Sequence, residues 1–532
     1  MVRAMSTPET STLERDDRMP RSIPFIVANE FAERFCYYGI NAILTVYMTK
    51  VLRLGDAEAT TFHSLFKTGA YFFPLIGAIV SDVFWGKYRT IITFSLAYVL
   101  GCTLLAVVPG KEGLALGLFL VAFGTGGIKP CVSTNVGDQF TSKNQHLIER
   151  AFSYFYLAIN AGSSISIFYC PVLLDKYGRL AAFGVPAAMM FVATMVFLSG
   201  RKKYAHVPPA GKAWFDAVKS PEGRQIIRNL TIIYLFIACF WMLWDQSNGQ
   251  TWTLQAESSL MDKNLGFGFV VLPAQIQVVN GLMILGMVPI FTFGIYPLMG
   301  KFFTVTPLRK IGIGLFCVAA SFVLVAWIES RIQNGHVVSA WWQILAYVIL
   351  SASEVLVSIT GLEFSYAQAP LKMKSFIMAM FLLAVSLGNA MTATVNELMV
   401  KPLTALSAES GGQTWIKLKD AHGFVEGQKI DFAGKTGLEV IRSDGKHQPF
   451  TGTFLVAGVD ESAGRVRLID AIDRKPVTTI GTFDAADAKV STYRLVGPAY
   501  FNFFAIIMSV VGVIFIFVAR RYKGKVHVRE TA

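Results

Sequence analysis

The sequence predicts an all-α integral membrane protein of twelve transmembrane helices in two six-helix bundles, plus a small β-rich insert. Three observations carry that expectation. The 532 residues are 53% hydrophobic and only 16% charged, with a mean hydropathy of +0.50, whereas soluble chains are closer to about a quarter charged. Apolar runs recur along the chain, each near the roughly 20 residues that a bilayer crossing needs. One stretch, 401–497, breaks the pattern with charge, glycine and short alternating segments. The net charge of +13 could suggest nucleic acid, but the basic residues sit in short loops between apolar runs, as cytoplasmic loops do. The six cysteines (Cys36, Cys102, Cys131, Cys170, Cys239 and Cys317) lie in apolar runs, so neither disulfides nor a metal site are implied. Soluble enzyme, secreted domain and nucleic-acid binder are excluded; the lipid bilayer is the first partner.

The elements follow in order. Residues 1–22 are polar, mixed in charge and lack a signal-peptide core, so they read as a cytoplasmic tail. Spans begin near Ile23, Thr61, Thr90, Leu114, Phe152 and Ala181, giving an N-terminal bundle over 23–200. A linker at 201–228 carries Arg201, Lys203, Lys212, Lys219, Arg224 and Arg228. Helices 7–11 begin near Leu230, Val270, Ile311, Trp341 and Ser375, filling 229–400; helix 12 occupies 498–520 and a tail 521–532. Two sixes around a charged linker match the pseudo-equivalent halves of many secondary transporters. Lys and Arg concentrate in the loops that a cytoplasmic N-terminus places inside, so both termini are expected in the cytoplasm of a cell (inner) membrane protein. In 401–497, the segments Thr414–Lys419, Gln428–Phe432, Leu438–Arg442, Thr453–Val459, Val466–Ile469 and Val490–Leu495 alternate between Gly-containing turns, as in a small antiparallel domain. Lying between helices 11 and 12, it is expected outside the cell membrane. It lacks a nucleophile motif or a His/Cys/Asp cluster, so it reads as a passive module whose partner the sequence does not name.

Six ionisable residues sit inside apolar runs: Glu30, Glu33 and Arg34 in the first span, Lys129 in the fourth, Asp245 in the seventh and Glu354 in the tenth. Each costs roughly 3 kcal/mol at mid-helix if unpaired, so together about 18 kcal/mol. They are expected to face an internal, partly wet cavity, with four negative charges against two positive. Lys67 in the second span could trim that surplus, but it lies near the outer end, where its stem can snorkel instead. On a helical wheel, Glu33, Tyr37, Glu30, Asn41, Arg34, Thr45 and Tyr38 share an arc of about 140°. Glu30 and Arg34 are four apart and can pair, whereas adjacent Glu33 and Arg34 are not expected to face each other. One carboxylate is then held and the other left to titrate.

These residues spell Glu30-Phe-Ala-Glu33-Arg34-Phe-Cys-Tyr37-Tyr38-Gly39, which resembles the first-span motif of the proton-dependent oligopeptide transporter family. Phe123-Gly-Thr-Gly-Gly-Ile-Lys129-Pro130 through Asn135-Val-Gly137-Asp138-Gln139-Phe140 is similar to its fourth-span signature. Phe152-Ser-Tyr-Phe155-Tyr156-Leu-Ala-Ile159-Asn160-Ala-Gly162 is similar to its fifth. Trp252-Thr-Leu-Gln255, Ser353-Glu354-Val355 and Gly361-Leu-Glu-Phe-Ser-Tyr-Ala-Gln-Ala-Pro370 extend the likeness, and Gly77 to Arg89 resembles a loop of the major facilitator superfamily. The resemblance implies the major facilitator fold and an alternating-access symporter importing di- and tripeptides with protons. It needs no cofactor or metal and works as a monomer. It implies that Glu30, Glu33 and Arg34 couple protons, that Asp245 is a second proton site, and that Lys129 meets the peptide carboxylate. It gives Glu354 both the peptide amino terminus and a part in coupling. Tyr37, Tyr38, Asn41, Tyr71, Asn160 and Asn280 would hold the backbone, and Trp241 and Trp244 the side-chain space.

The family pattern is not complete. The position seven residues after Arg34, usually arginine, is Asn41, which donates hydrogen bonds without charge. The second-span histidine of animal members aligns with Ser64, and His63, one residue or about 100° away, is expected to have no proton role. Another small anion or peptide-like compound is the alternative cargo. A membrane-embedded receptor or enzyme is the alternative class, although neither H-E-x-x-H nor G-x-S-x-G occurs.

Overall fold

The computed structural model describes residues 18–522 apart from 142–143, 145–146, 207, 210, 212–214, 217–218, 267, 369–373, 410–412, 421, 442–446 and 473. The side chains of 148–150, 152–153, 156, 366–367 and 374–375 are also outside the description. The tails 1–22 and 521–532 thus lie mostly outside the described residues, as do Lys212 of the linker and the Ala-Pro end of the Gly361 motif.

The chain is mostly helical. In order come α1 (Ile23–Val46), α2 (Asp56–Ile79), α3 (Lys87–Val107), α4 (Gly110–Asp138), α5 (Ile148–Ser199), α6 (Pro221–Ser247) and α7 (Thr251–Glu257). Then come α8 (Val278–Ile290), α9 (Tyr296–Gly300), α10 (Pro307–Gln333), α11 (Ala340–Glu354), α12 (Thr360–Gln368), α13 (Lys374–Met399) and α14 (Pro498–Arg521). Short π-helical turns join α8 to α9 and α11 to α12. Among the described residues, ten helical segments are long and apolar enough to cross a membrane.

Local chemistry sets the helix ends. Ser220 and Thr306 accept from the backbone N–H groups of Gly223 and Arg309, with Pro221 and Pro307 opening α6 and α10. A side-chain cap followed by proline satisfies one orphan donor and removes another. Inside α5, Gly178 takes φ 73° and ψ −168°, a conformation open chiefly to glycine, and breaks the 52-residue helix in two. One apolar core gathers Ile23 through Tyr204 and another Leu230 through Phe515, so the halves pack separately. Small residues bring helices of one half close: a Cβ on Gly77 of α2 would lie 2.6 Å from Gly127 Cα on α4. Backbones in such contact are typical of helices that associate without a hydrophobic driving force. Leu157, Phe191, Phe293 and Phe517 remain exposed, the kind of surface that lipid covers.

Between α13 and α14 lies the β-rich region, with ten strands among the described residues: β1 (Val400–Leu403), β2 (Ala405–Glu409), β3 (Trp415–Leu418), β4 (Lys429–Gly434), β5 (Leu438–Ile441), β6 (His447–Pro449), β7 (Gly452–Asp460), β8 (Arg465–Asp470), β9 (Thr478–Gly481) and β10 (Ala488–Tyr493). A seven-stranded antiparallel sheet runs β1-β10-β4-β7-β8-β3-β2, and a three-stranded one β9-β5-β6. Phe432, Phe450 and Phe454 pack face to face and edge on in their own core.

The insert is also bonded to the N-terminal half. Lys429 pairs with Asp56 of α2 at 2.5 Å, the Asp56 N–H donates to Thr453 Oγ1 at 3.0 Å, and the Ala57 N–H donates to the Tyr493 hydroxyl at 2.9 Å. Both hydroxyls in turn donate to Asp431, Thr453 at 2.7 Å and Tyr493 at 2.5 Å. Burial, with the nearby Asp56 carboxylate adding to it, pushes the Asp431 carboxyl up to about 6, against hydrogen bonds from Tyr493 and Thr453 and the charge of Lys429 that pull it down. Docking on α2 contributes both upward causes, so the docked carboxyl binds its proton more tightly than the free one. The proton therefore favours docking at acid pH, and that advantage is lost as pH rises through about 6. Hydrogen-exchange protection of the Asp56 and Ala57 amides, corrected for intrinsic exchange, is expected to fall between about pH 4 and 6 and to level off above. Asp431→Asn, which cannot ionise, should remove the fall; an undiminished fall in that variant places the titrating group elsewhere.

Candidate functional site

Helix α1 aims its charged arc inward, and the structure brings Glu30, Glu33 and Arg34 together. Arg34 Nε lies 2.7 Å from Glu30 Oε1 and 2.9 Å from Glu33 Oε2. The expectation that Glu33 and Arg34 do not meet is therefore corrected. Their Cβ atoms diverge, but the long arginine stem curls back between both carboxylates. The pair with Glu33 is a charge contact, since Glu33 Oε2 has no hydrogen bond among the described residues. The other oxygen of Glu33 accepts from the Thr125 hydroxyl on α4. Both carboxylates are buried while Arg34 keeps 12% exposure, so the guanidinium is the open member.

Lys129, one helical turn below Thr125, is held differently. Its Nζ sits 4.2 Å from the Tyr37 ring centroid and 4.1 Å from that of Tyr71. It makes no hydrogen bond among the described residues and has no ion pair there. Two aromatic faces stabilise a desolvated ammonium by cation–π attraction and leave its three donors unused. Tyr38 stands edge-on to Tyr37 at 5.4 Å, and Asn160 on α5 is half-buried.

In the other half, Glu354 at the end of α11 accepts from Trp244 Nε1 at 2.7 Å and from Asn280 Nδ2 at 2.9 Å. Asn280 also donates to Ser351 Oγ at 3.0 Å. Trp241 packs edge-on to Trp244 at 5.0 Å, and its indole N–H is buried without a partner among the described residues. Neutral donors hold the Glu354 carboxylate, and no cation pairs with it among the described residues. Among the described residues each half thus offers one charged group without an ion-pair partner: an ammonium in the first, a carboxylate in the second.

The third group closes the seam between the halves. Lys67 of α2 reaches across to α6, donating to Asp245 Oδ1 at 3.0 Å, to the Asp245 carbonyl at 3.3 Å and to the Asn248 carbonyl at 2.9 Å. Both side chains are 2% exposed. Lys67 therefore does not snorkel: with acceptors across the seam for each of its donors, it has more to gain inside than at an interface. Asp245 also accepts from Asn389 of α13. Asn41 lies in this seam as well, its Nδ2 donating to Asn248 Oδ1 at 2.8 Å and its Oδ1 lying 2.8 Å from His63 Nε2. His63 is fully buried, its other ring nitrogen 2.8 Å from the Thr45 hydroxyl. The neutral partners Thr125, Ser351, Asn389 and Asn248 had no signal in the sequence, because hydroxyls and amides inside a span cost too little to stand out.

The profile of the POT family matches residues 88–220 and 213–416. Peptide transporter family 1 of Drosophila melanogaster is 38% identical over 363 residues, covering 59% of this chain and 48% of the relative. The chain spans about half the length of the curated relatives it matches. The crystal structure of the POT family transporter PepTSo aligns at a TM-score of 0.64 and 33% identity, over 71% of this chain and 90% of that one. A structure described as an auto inhibited POT family peptide transporter aligns at 0.71 and 26% identity, over 96% and 99%. Its coverage takes in the β-rich region as well as the helices. With the family profile spanning more than half of its length, this chain belongs to the POT family.

Proposed function

We propose that the protein imports di- and tripeptides together with protons across the cytoplasmic membrane by alternating access. The observation that carries this reading is the pair of charged groups without ion-pair partners among the described residues, Lys129 in one half and Glu354 in the other. A zwitterionic peptide supplies a carboxylate for the first and an ammonium for the second, with charge-assisted bonds at both ends. Bridging the two halves draws them together, which is how a substrate gains a differential affinity for one state of the cycle.

In this reading Glu30, Glu33 and Arg34 couple protons to the peptide, Asp245 is a second titrating site, and Glu354 contributes to both tasks. Tyr37, Tyr38, Tyr71, Asn160 and Asn280 contact the peptide backbone, and Trp241 its side chains. Asn41 acts at the seam rather than on the carboxylate. Twelve spans follow from the ten apolar segments by two additions. Helix α1 crosses despite its three charged residues, and the halves of α5 before and after Gly178 cross separately. The insert then lies between helices 11 and 12, outside the cell, with both termini inside and the protein acting as a monomer without a cofactor.

Counterflow of labelled dipeptide in liposomes tests the class, because only a transporter exchanges the peptide intact. Acetylating the amino terminus removes the ammonium that Glu354 would receive. A charge-assisted bond contributes roughly 1.5–3 kcal/mol, so acetylated dipeptide should compete about 10- to 100-fold more weakly than the free one. Equal competition by the two sinks the assignment of Glu354.

A further inference from the structure

The insert has footholds on both halves of the transporter. On the N-terminal half it holds the first turn of α2 through the Lys429–Asp56 pair and the Asp56 and Ala57 amides. The approach is close enough that a Cβ on Gly55 would lie 2.3 Å from Asp431 Oδ2. On the C-terminal half its ends run into α13 and α14, and the Ser259 N–H donates to the Ile472 carbonyl at 3.1 Å. A cavity of about 140 Å³ lies between the footholds, lined by Asp56 and Thr60 of α2, Gln255 of α7, Glu329 of α10 and Lys429 and Tyr493 of the insert. Beneath it the halves are bonded directly, by Lys67 to Asp245, Asn41 to Asn248 and Asn396 to Thr60.

If the seam opens on this side, α2 moves away from α6 and α13, and the insert cannot stay bonded to both. Its connections to α13 and α14 are covalent, so the hold on Gly55–Ala57 is the one that breaks. We propose that the insert is a strap across the seam, which releases the start of α2 each time this face of the transporter opens. A module joined to the rest only by its two chain ends would need no ion pair to α2 and no glycine at its contact point. The strap adds bonds to the closed form alone, so it biases the cycle toward closure on this face. The inference rests on the alternating-access reading above.

The test is to staple the strap shut in the full-length protein. Asp56→Cys and Lys429→Cys are joined by a short, reducible, membrane-impermeant bis-methanethiosulfonate, and dipeptide counterflow is measured before bridging, after bridging and after reduction. The expected result is at least a tenfold loss on bridging and recovery on reduction, the recovery showing that the bridged protein is folded. Should that pair fail to fold, Ala57→Cys with Tyr493→Cys staples the neighbouring bond. Wild-type protein treated with the same reagent controls for the native cysteines. Exchange by the bridged protein at its unbridged rate overturns the strap, because α2 and the insert then move as one body. Absence of exchange in untreated wild type would instead overturn the transport reading itself.

Discussion

Lys129→Ala should abolish gradient-driven uptake, by at least about tenfold, and leave the protein folded. The two halves of that expectation have separate causes. The ammonium has two tyrosine faces and no ion-pair partner among the described residues. Its removal therefore strands no buried carboxylate on Glu33 or Glu30, which keep Arg34. The stability lost is the cation–π attraction, about 2 kcal/mol when desolvated, far from the cost of breaking a buried pair. The substrate loses more, because a carboxylate brought into this site would find Arg34 engaged and Asn41 turned to the seam. A missing charge-assisted bond of roughly 1.5–3 kcal/mol is about 10- to 100-fold in binding. Proteoliposome uptake under an imposed pH gradient, beside a thermal melt in detergent, checks both halves. Uptake above a tenth of wild type in a folded variant removes Lys129 from the carboxylate role.

What the sequence made legible follows burial. Six β-strands showed period-two alternation, and they occupy every interior position of the two sheets: β3, β4, β5, β7, β8 and β10. The four unread strands are the four edges. In β1, Val400–Leu403, both central residues, Lys401 and Pro402, are exposed, and proline is tolerated there because an edge leaves one N–H side unpaired. An edge strand buries too little apolar surface to write a pattern. The charges inside spans were legible for the opposite reason, since each costs so much that its presence demands a site. Their partners were less so. Helical geometry predicts which Cβ atoms share a face, but long side chains such as Arg34 and Lys67 travel several ångströms beyond it. Arg34 reached an adjacent residue and Lys67 the opposite half of the molecule, and neither contact is a matter of sequence spacing.

Lys67→Met should weaken closure of the seam on the insert side by roughly 3–5 kcal/mol, the usual cost of leaving a buried charge without its partner. All three acceptors of the ammonium, two on Asp245 near the end of α6 and one on Asn248 just past it, lie across the seam, and both charged groups are 2% exposed. The methionine fills much of the lysine stem's volume, so the loss is of charge and hydrogen bonds rather than packing. Asp245 is then left with the Asn389 amide, which cannot neutralise it. A shift of that size moves a two-state balance by more than about a hundredfold. The readout is a cysteine at Ser64, which is buried beside the lysine and bonded across the seam to Gln250. Alkylation by an impermeant maleimide should be slow in the otherwise wild-type protein and at least tenfold faster with Lys67→Met. Adding Asp245→Asn removes the stranded charge, and replacing both members of a buried pair is often close to neutral. The double change should therefore bring alkylation back to within a few-fold of the starting rate. If the single and double variants react equally fast, the pair is not what holds the seam, and the neutral bonds around Asn41, His63 and Asn248 are.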